Sequence, residues 1–355
     1  MKVSRFLKKM ALGVLPVCMV LCCPAFAMAD EEADRVDASI RRGLDFLARG
    51  QNEDGTFESW AAKKWTGIPA LCGMAFLAAG ETPLSEPNGP VIMRVIDFLL
   101  ENAREDGYLG TQGGKMYSHC ISTLFLSEVS GMVDSNRQER IAQLLPKAVK
   151  IILTAQSVPK SPGNAGGWRY EPNSTDSDMS CSGWALMALR SARLNGAPVP
   201  DSAMDAAVKY LLEHHDDKEG TFGYTDKRAN AEKLTGAGLL CLELCGKHGH
   251  PATLSAGRYL AANYKRLQNV SYKLYGLYYT AQGLFQLGGP TWKEFADWMY
   301  AYWIPKQFPD GHWDVGEQGC PYYQTSMVIL AFAVPYRQLP IYQRDETVDD
   351  EKEAE

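Results

Sequence analysis

Residues 41–57, RRGLDFLARGQNEDGTF, read as an amphipathic helix that stops at Gln51 and turns through Asp54 and Gly55 onto a lone aromatic, Phe57. The same punctuation returns along the chain. Gly107 sits in EDGYLG, Gly167 in AGGWRY, Gly220 in KEGTFGY and Gly311 in PDGHWD, each with an aromatic close behind. The intervals are 52, 60, 53 and 91 residues, and the last suits two units of about 45 with the marker lost in one. Glycine is expected at the marker because it tolerates positive φ and lets the chain reverse tightly. The aromatic then has a place to pack, and the Gln is expected to satisfy N–H groups of the next helix.

Helical patterns flank every marker. The first helix of each unit is predicted over 36–49, 90–103, 140–155, 200–214, 251–264 and 290–304. Four of these begin with Pro, whose missing N–H costs nothing there. The second helix is predicted over 65–79, 116–130, 178–194, 229–245, 271–287 and 322–335. These second helices are apolar and rich in small residues, as in GIPALCGMAFLAAG, and a helix apolar on most sides is buried on most sides. Six antiparallel pairs predict an all-α fold, an (α/α)6 toroid over 34–340, with half-polar outer helices around an apolar inner wall. No strand series is visible.

These residues carry a resemblance. Arg42, Gly43, Phe46, Gln51, Gly55 and Phe57 follow, in order, the QW motif of the terpenoid-cyclase and protein-prenyltransferase superfamily, to which squalene-hopene cyclases belong. Gln307, Asp310, Gly311 and Trp313 match its second half, and Gln156 with Gly167 and Trp168 does so around an enlarged loop. Asn102 and His215 stand near the Gln positions of decayed copies, and the fifth unit lacks the marker. The resemblance spans nearly all of the chain beyond its leader and implies one toroid with a central cavity.

The leader is read over 1–29. Lys2, Arg5, Lys8 and Lys9 precede an apolar run from Ala11 to Phe26, and Ala25-Phe26-Ala27 forms an A-x-A cleavage signature. The run suits a secretory signal peptide and is short for a bilayer span, so the mature protein is expected to be exported, periplasmic or extracellular. Its removal takes four bases and no acids and moves the formal net charge from −6 to −10. That sign leaves no electrostatic footprint for nucleic acid. Residues 341–355 are predicted as a disordered acidic tail. Three of the nine cysteines leave with the leader, and five of the other six fall in apolar helical runs where Cys serves as a small buried hydrophobe.

In such a ring the N-termini of the inner helices converge on one mouth of the cavity, and these helix ends favour anions. Trp65, Tyr117, His119 and Lys233 are expected there, with Asp176 and Asp178 between them. Tyr322, Tyr323 and Gln324 open the last inner helix, while Tyr272, Tyr275 and Tyr279 fall on one face of the fifth at i, i+3 and i+7. The sharpest candidate is STDSDMS, 174–180. Its resemblance to the D-x-D-D motif of protonation-initiated (class II) terpene cyclases implies Asp178 as a general acid, Asp176 beside it and His119 as its partner. Protonating an alkene needs a carboxyl kept neutral by burial yet acidified by neighbours. Met179 stands where the motif's last acid would be. A helix start also needs only a short polar side chain, so Asp176 or Ser177 reads equally as an N-cap.

The zinc set of the prenyltransferases does not line up, because Ser180 stands where an Asp-x-Cys pair needs Cys and Cys181 is one residue too far. No metal and no cofactor is expected. Squalene-type cyclases enclose their substrate between two barrels, and prenyltransferases pair the toroid with a helical subunit. A single toroid therefore predicts a binding module for a hydrophobic, isoprenoid-like small molecule or a peptide, with a homodimer or a partner protein as ways to complete the cavity. The alternatives are a terpene cyclase or isomerase-like enzyme using Asp178, and a non-catalytic interaction scaffold.

Overall fold

A computed structural model describes residues 24–57 and 65–343 of the chain, with side chains from residue 32 onward. Most of the leader (1–23) and the tail from 344 lie outside the described residues. Outer and inner helices alternate. The outer set is α1 (Pro24–Gly50), α3 (Gly89–Asn102), α5 (Ser135–Ser157), α7 (Asp201–Glu213), α9 (Pro251–Asn263) and α11 (Gly289–Trp303). The inner set is α2 (Gly67–Ala78), α4 (Lys115–Glu128), α6 (Met179–Leu194), α8 (Ala231–Leu244), α10 (Lys273–Leu287) and α12 (Pro321–Phe332). A two-residue hairpin, β1 (His215–Asp216) with β2 (Thr221–Phe222), is the only named sheet among the described residues.

The inner helices pack in sequence from α2 to α12, and α12 returns to α2. The ring is closed, and the fold is the (α/α)6 toroid. Every residue of α2 is buried, as a helix apolar all round requires. Between α8 and α10 the backbones nearly touch: a Cβ at Gly236 would lie 2.6 Å from the Thr280 amide nitrogen, and one at Gly283 would lie 3.0 Å from the Gly236 carbonyl oxygen.

The repeated motif is a clasp between successive outer helices. Gln51 Nε2 donates to Val91 O in the first turn of α3 at 3.0 Å and to Gly55 O of its own turn at 3.5 Å. Gln156 repeats this with Ala203 O of α7 (2.8 Å) and Gly166 O (2.9 Å). Gln307 does so with Ser39 O of α1 (2.9 Å) and Gly311 O (2.8 Å), so the sixth unit fastens to the first. The glutamine thus donates to carbonyls and does not accept from the backbone N–H groups of the next helix as its position suggested; Gln51 Oε1 accepts instead from the Arg94 side chain of α3 at 2.7 Å. The backbone N–H groups at those positions are already spent, Val91 N on Asn88 O and Ala203 N on Pro200 O, whereas each carbonyl keeps a second lone pair.

The loop glycine presses on the same neighbour. A Cβ at Gly55, Gly166 or Gly311, with φ of +83°, +90° and +102°, would lie 2.3, 2.1 or 2.0 Å from a carbonyl oxygen of the next outer helix. In the third unit the marker is therefore Gly166, not Gly167. The residue two positions on is the buried plug: Phe57, Leu109, Trp168, Phe222 and Trp313. In the second unit this is Leu109 and not the neighbouring Tyr108.

The far end of the ring corrects the predicted tail boundary. Ile341 and Tyr342 are buried, Ile341 N donates to Glu128 Oε2 at 3.2 Å, and Tyr342 OH donates to Leu330 O at 3.0 Å. Ordered structure continues past 340 because this short turn covers the ends of α4 and α6. Glu128 is 1 % exposed and also accepts from Ser191 Oγ.

Two outcomes follow from these contacts. Gly311→Ala should lower unfolding stability by about 2 kcal/mol or more in urea titrations, because a side chain there meets both a carbonyl and a positive φ. Burial, outweighing its hydrogen bonds, raises the Glu128 carboxyl from 4.5 to about 7. Its contribution is intact below the unfolded value and is lost as pH rises through the folded one. Thermal melts of Glu128→Gln at pH 5 and pH 8 should shift relative to wild type in the variant's favour, by on the order of 3 kcal/mol. Parallel curves would contradict this.

Candidate functional site

A cavity of ≈ 800 Å³ lies where the inner helices begin, and every inner helix contributes to its wall. Eight aromatic side chains line it: Trp65, Tyr117, Tyr170, Trp184, Tyr224, Tyr272, Tyr275 and Tyr323. Ile68, Leu71, Ile121 and Leu234 fill the spaces between them. Trp184 stacks on Tyr278 (5.5 Å between ring centres, 19°) and meets Tyr279 edge-on, so a second aromatic layer supports the first. The backbone around the mouth is unusual. Lys115, Asn230, Tyr272 and Gln318 line the cavity with φ between 54° and 62°. Left-handed non-glycine residues are costly and gather where a site over-determines the chain.

Two of the wall residues arrive from neighbouring units. Tyr170 and Tyr224 each stand four residues after a loop glycine, and their carbonyls accept the amides of Met116 and Met179 at the starts of the adjoining inner helices (both 2.9 Å). Their hydroxyls bond each other. Arg169 lies over both rings, at 4.6 and 5.4 Å from their centres, and reaches Asp176 at 3.4 Å and Asp178 at 3.3 Å. Lys115 pairs with Glu171 at 3.0 Å. Glu317 caps α10, accepting from Lys273 N at 2.5 Å and Leu274 N at 3.3 Å. Among the described residues no Asp or Glu lines the cavity.

The predicted residues divide. Trp65, Tyr117, Lys233, Tyr272, Tyr275 and Tyr323 do line it. Tyr279 sits in the layer beneath. Tyr322 faces outward, stacked on Phe46 at 5.3 Å, because neighbouring residues on a helix point to different sides. Gln324 is buried and orders the preceding loop, accepting from Val315 N at 2.5 Å and donating to Asp314 Oδ1 at 3.0 Å. Tyr272 precedes α10 in the left-handed conformation, so it does not continue the helical stripe of Tyr275 and Tyr279.

Asp178, Asp176 and His119 are not on the cavity wall. Asp178 is itself the N-cap of α6, its Oδ1 accepting from Cys181 N at 2.8 Å, one place beyond the caps expected from the sequence. It is fully buried, and burial, opposed by Cys181 and Arg169, pushes its carboxyl up to about 6. Asp176 is half-exposed beside Arg169. His119 faces the outer layer. Its Nδ1 accepts from Leu109 N and its Nε2 donates to Ala148 O of α5, both at 3.1 Å. Ser182, Thr235 and Thr325 hold the same place in other units, accepting from Trp168 N, Phe222 N and Trp313 N. His119 is therefore a fastener of the second plug, and among the described residues no hydrogen bond or ion pair joins it to Asp178. Tyr170, Tyr224, Lys115 and Trp184 were missed from the sequence. The fixed offset of the two tyrosines from the loop glycine was the signal for them.

The six described cysteines form no disulfide with one another, and all except the half-buried Cys245 are buried. No helix among the described residues is long and apolar enough to cross a membrane.

No protein-family model matches the chain, and no curated protein sequence matches it. Solved structures do. The type II terpene cyclase MstE from Scytonema, in a variant bound to its product merosterolic acid A, aligns with a TM-score of 0.58 at 15% identity, covering 87% of this chain and 99% of that one. An inactive variant of the α-1,6-mannanase GH76A of Salegentibacter sp. HEL1_6, bound to α-1,6-mannotriose, aligns at 0.61 with 11% identity, covering 84% and 98%. A glycosidase in complex with glucose aligns at 0.57 with 12% identity, covering 88% and 99%. The chain shares the toroid of terpenoid-cyclase-like proteins and of these glycosidases.

The placement of His119 has a measurable consequence. His119→Ala orphans a buried N–H and a buried carbonyl and should cost about 3 kcal/mol in urea unfolding while leaving ligand uptake by the folded protein unchanged. Burial lowers the imidazole from 6.5 to about 4. Its contribution is whole above the unfolded value and is lost as pH falls through the folded one, a slope the variant should lack.

Proposed function

We propose that the protein is an exported terpenoid-cyclase-like toroid that binds a hydrophobic, isoprenoid-like molecule in its central cavity. The observation that carries this reading is the wall itself: among the described residues, eight aromatic rings and no carboxylate around ≈ 800 Å³. That volume falls in the range of small-molecule pockets, about 300–1,000 Å³. Such a wall favours a hydrocarbon body over an extended peptide, whose backbone groups would need partners. Among the described residues its lining holds no acid, so the reading taken is binding. The leader supports export, and isoprenyl diphosphates of the cytoplasm are not available outside it. A monomer, a homodimer or a complex with a partner protein is compatible with this cavity.

One observation favours a second reading, a protonation-initiated cyclase. Asp178 is a buried carboxyl pushed up to about 6, one ion pair behind Tyr170 and Tyr224. A rotation of Arg169 would have to expose it.

Native mass spectrometry and lipid extraction of the purified mature protein test both. A co-purifying polyprenyl or hopanoid-like lipid is expected, and a protein that carries none and binds none from added mixtures would leave only the scaffold reading. Incubation with squalene or farnesyl substrates should leave them unchanged. A cyclised product that disappears in Asp178→Asn would replace the binding reading with the second one.

A further inference from the structure

The rim of the cavity is more specific than its aromatic wall. Lys233, on the first turn of α8, is half-buried, and its hydrogen-bond partners among the described residues are two neutral oxygens, Ser271 O at 3.3 Å and Ser271 Oγ at 3.2 Å. Its ammonium also lies 5.1 Å from the centre of the Tyr272 ring. Among the described residues no carboxylate pairs with it. Two acids reach it through their fields without pairing: Glu317, which is engaged by the amides at the start of α10, and its sequence neighbour Glu232. Lys115, the other lysine on the described wall, is matched with Glu171, and Arg169 behind it with Asp176 and Asp178. A half-buried ammonium without a counter-ion is costly and favours an anion delivered from outside.

One buried hydroxyl on the same cavity wall is also open: among the described residues the Tyr275 hydroxyl has no hydrogen-bond partner. Ser118, 3 % exposed, places its Oγ between Gly67 and Gly114, where a Cβ on either would meet it at 2.9 or 2.2 Å. The positive ends of the inner helices meet at this rim, and among the described residues no acid lines the cavity. Ile68, Leu71, Ile121, Leu234 and Trp184 supply the apolar part of the same space.

We propose that the molecule held in the cavity is an anionic amphiphile whose head group, a phosphate or carboxylate, pairs with Lys233 while its apolar body lies against the aromatic wall. This rests on the binding reading above and adds the charge of the ligand and the residue that selects it.

The full mature protein is titrated with decyl phosphate, decanoate, decanol and inorganic phosphate, each below its micelle concentration, with tryptophan fluorescence as the readout. Both anionic amphiphiles should bind at least about tenfold tighter than decanol, and added salt should narrow the gap. Lys233→Gln should abolish that preference, bringing both anions down to the affinity of decanol for the same variant, and Lys233→Arg should keep it. Equal binding of decanol and the anions, or an equal loss for all three in Lys233→Gln, would overturn the proposal and leave the cavity reading standing. Inorganic phosphate binding as tightly as decyl phosphate would assign the site to a free anion and overturn the amphiphile. Failure of all four probes would remove the binding reading together with it.

Discussion

The turn glycines Gly55, Gly166, Gly220 and Gly311 are each driven against a carbonyl of the next outer helix, and the outer layer of the ring is fastened through that contact. A backbone approach this close admits no side chain, and the positive φ it requires penalises every other residue. Where the unit keeps its glutamine, as with Gln51, Gln156 and Gln307, the side-chain amide ties the same turn to the same helix. The last of these ties runs from residue 307 back to residue 39, so the circle is closed by hydrogen bonds and packing without any covalent link. The fifth unit has no such clasp. There Tyr264 packs edge-on against Phe295 and tilts against Trp298 of α11, and aromatic surface takes over what a glycine turn does elsewhere.

The clasp also decides which polar residues of the inner helices are structural. The fourth or fifth position of α4, α6, α8 and α12 looks outward and accepts the backbone N–H of a buried plug. Histidine fills that position in one unit and serine or threonine in the others. A histidine at a helix start is thus exchangeable with a hydroxyl here because both supply one acceptor at one place. The inward faces of the same helices carry the tyrosines, tryptophans and small residues that shape the cavity.

The site is built mainly by the connections between helices. Lys115, Asn230, Tyr272 and Gln318 take left-handed backbone angles at the rim, and Tyr170 and Tyr224 are handed across from the loops of following units. Such a rim can vary without disturbing the ring beneath it, which is consistent with toroids of similar outline that are named for terpene and for glycoside chemistry. In this chain Arg169 and two tyrosines stand between the cavity and Asp178, and the wall is left aromatic and cationic.

By itself the sequence determined the all-α class, the twelve helices and their closure, because a 3.6-residue apolar period and a glycine-aromatic turn are local signals repeated six-fold with one loss. It also named six of the lining residues, since helix N-terminal position is readable along the chain. Only the tertiary structure decided the rest. Whether Tyr322 or Tyr323 faces inward is a rotation of one residue about an axis that only packing sets. That His119 serves a plug and Asp178 a helix cap, each apart from the other, follows from which backbone groups lie opposite them, and those come from segments distant in sequence. The tail boundary moved for the same reason: Ile341 and Tyr342 are ordered by partners at 128 and 330 that no neighbouring residue could announce.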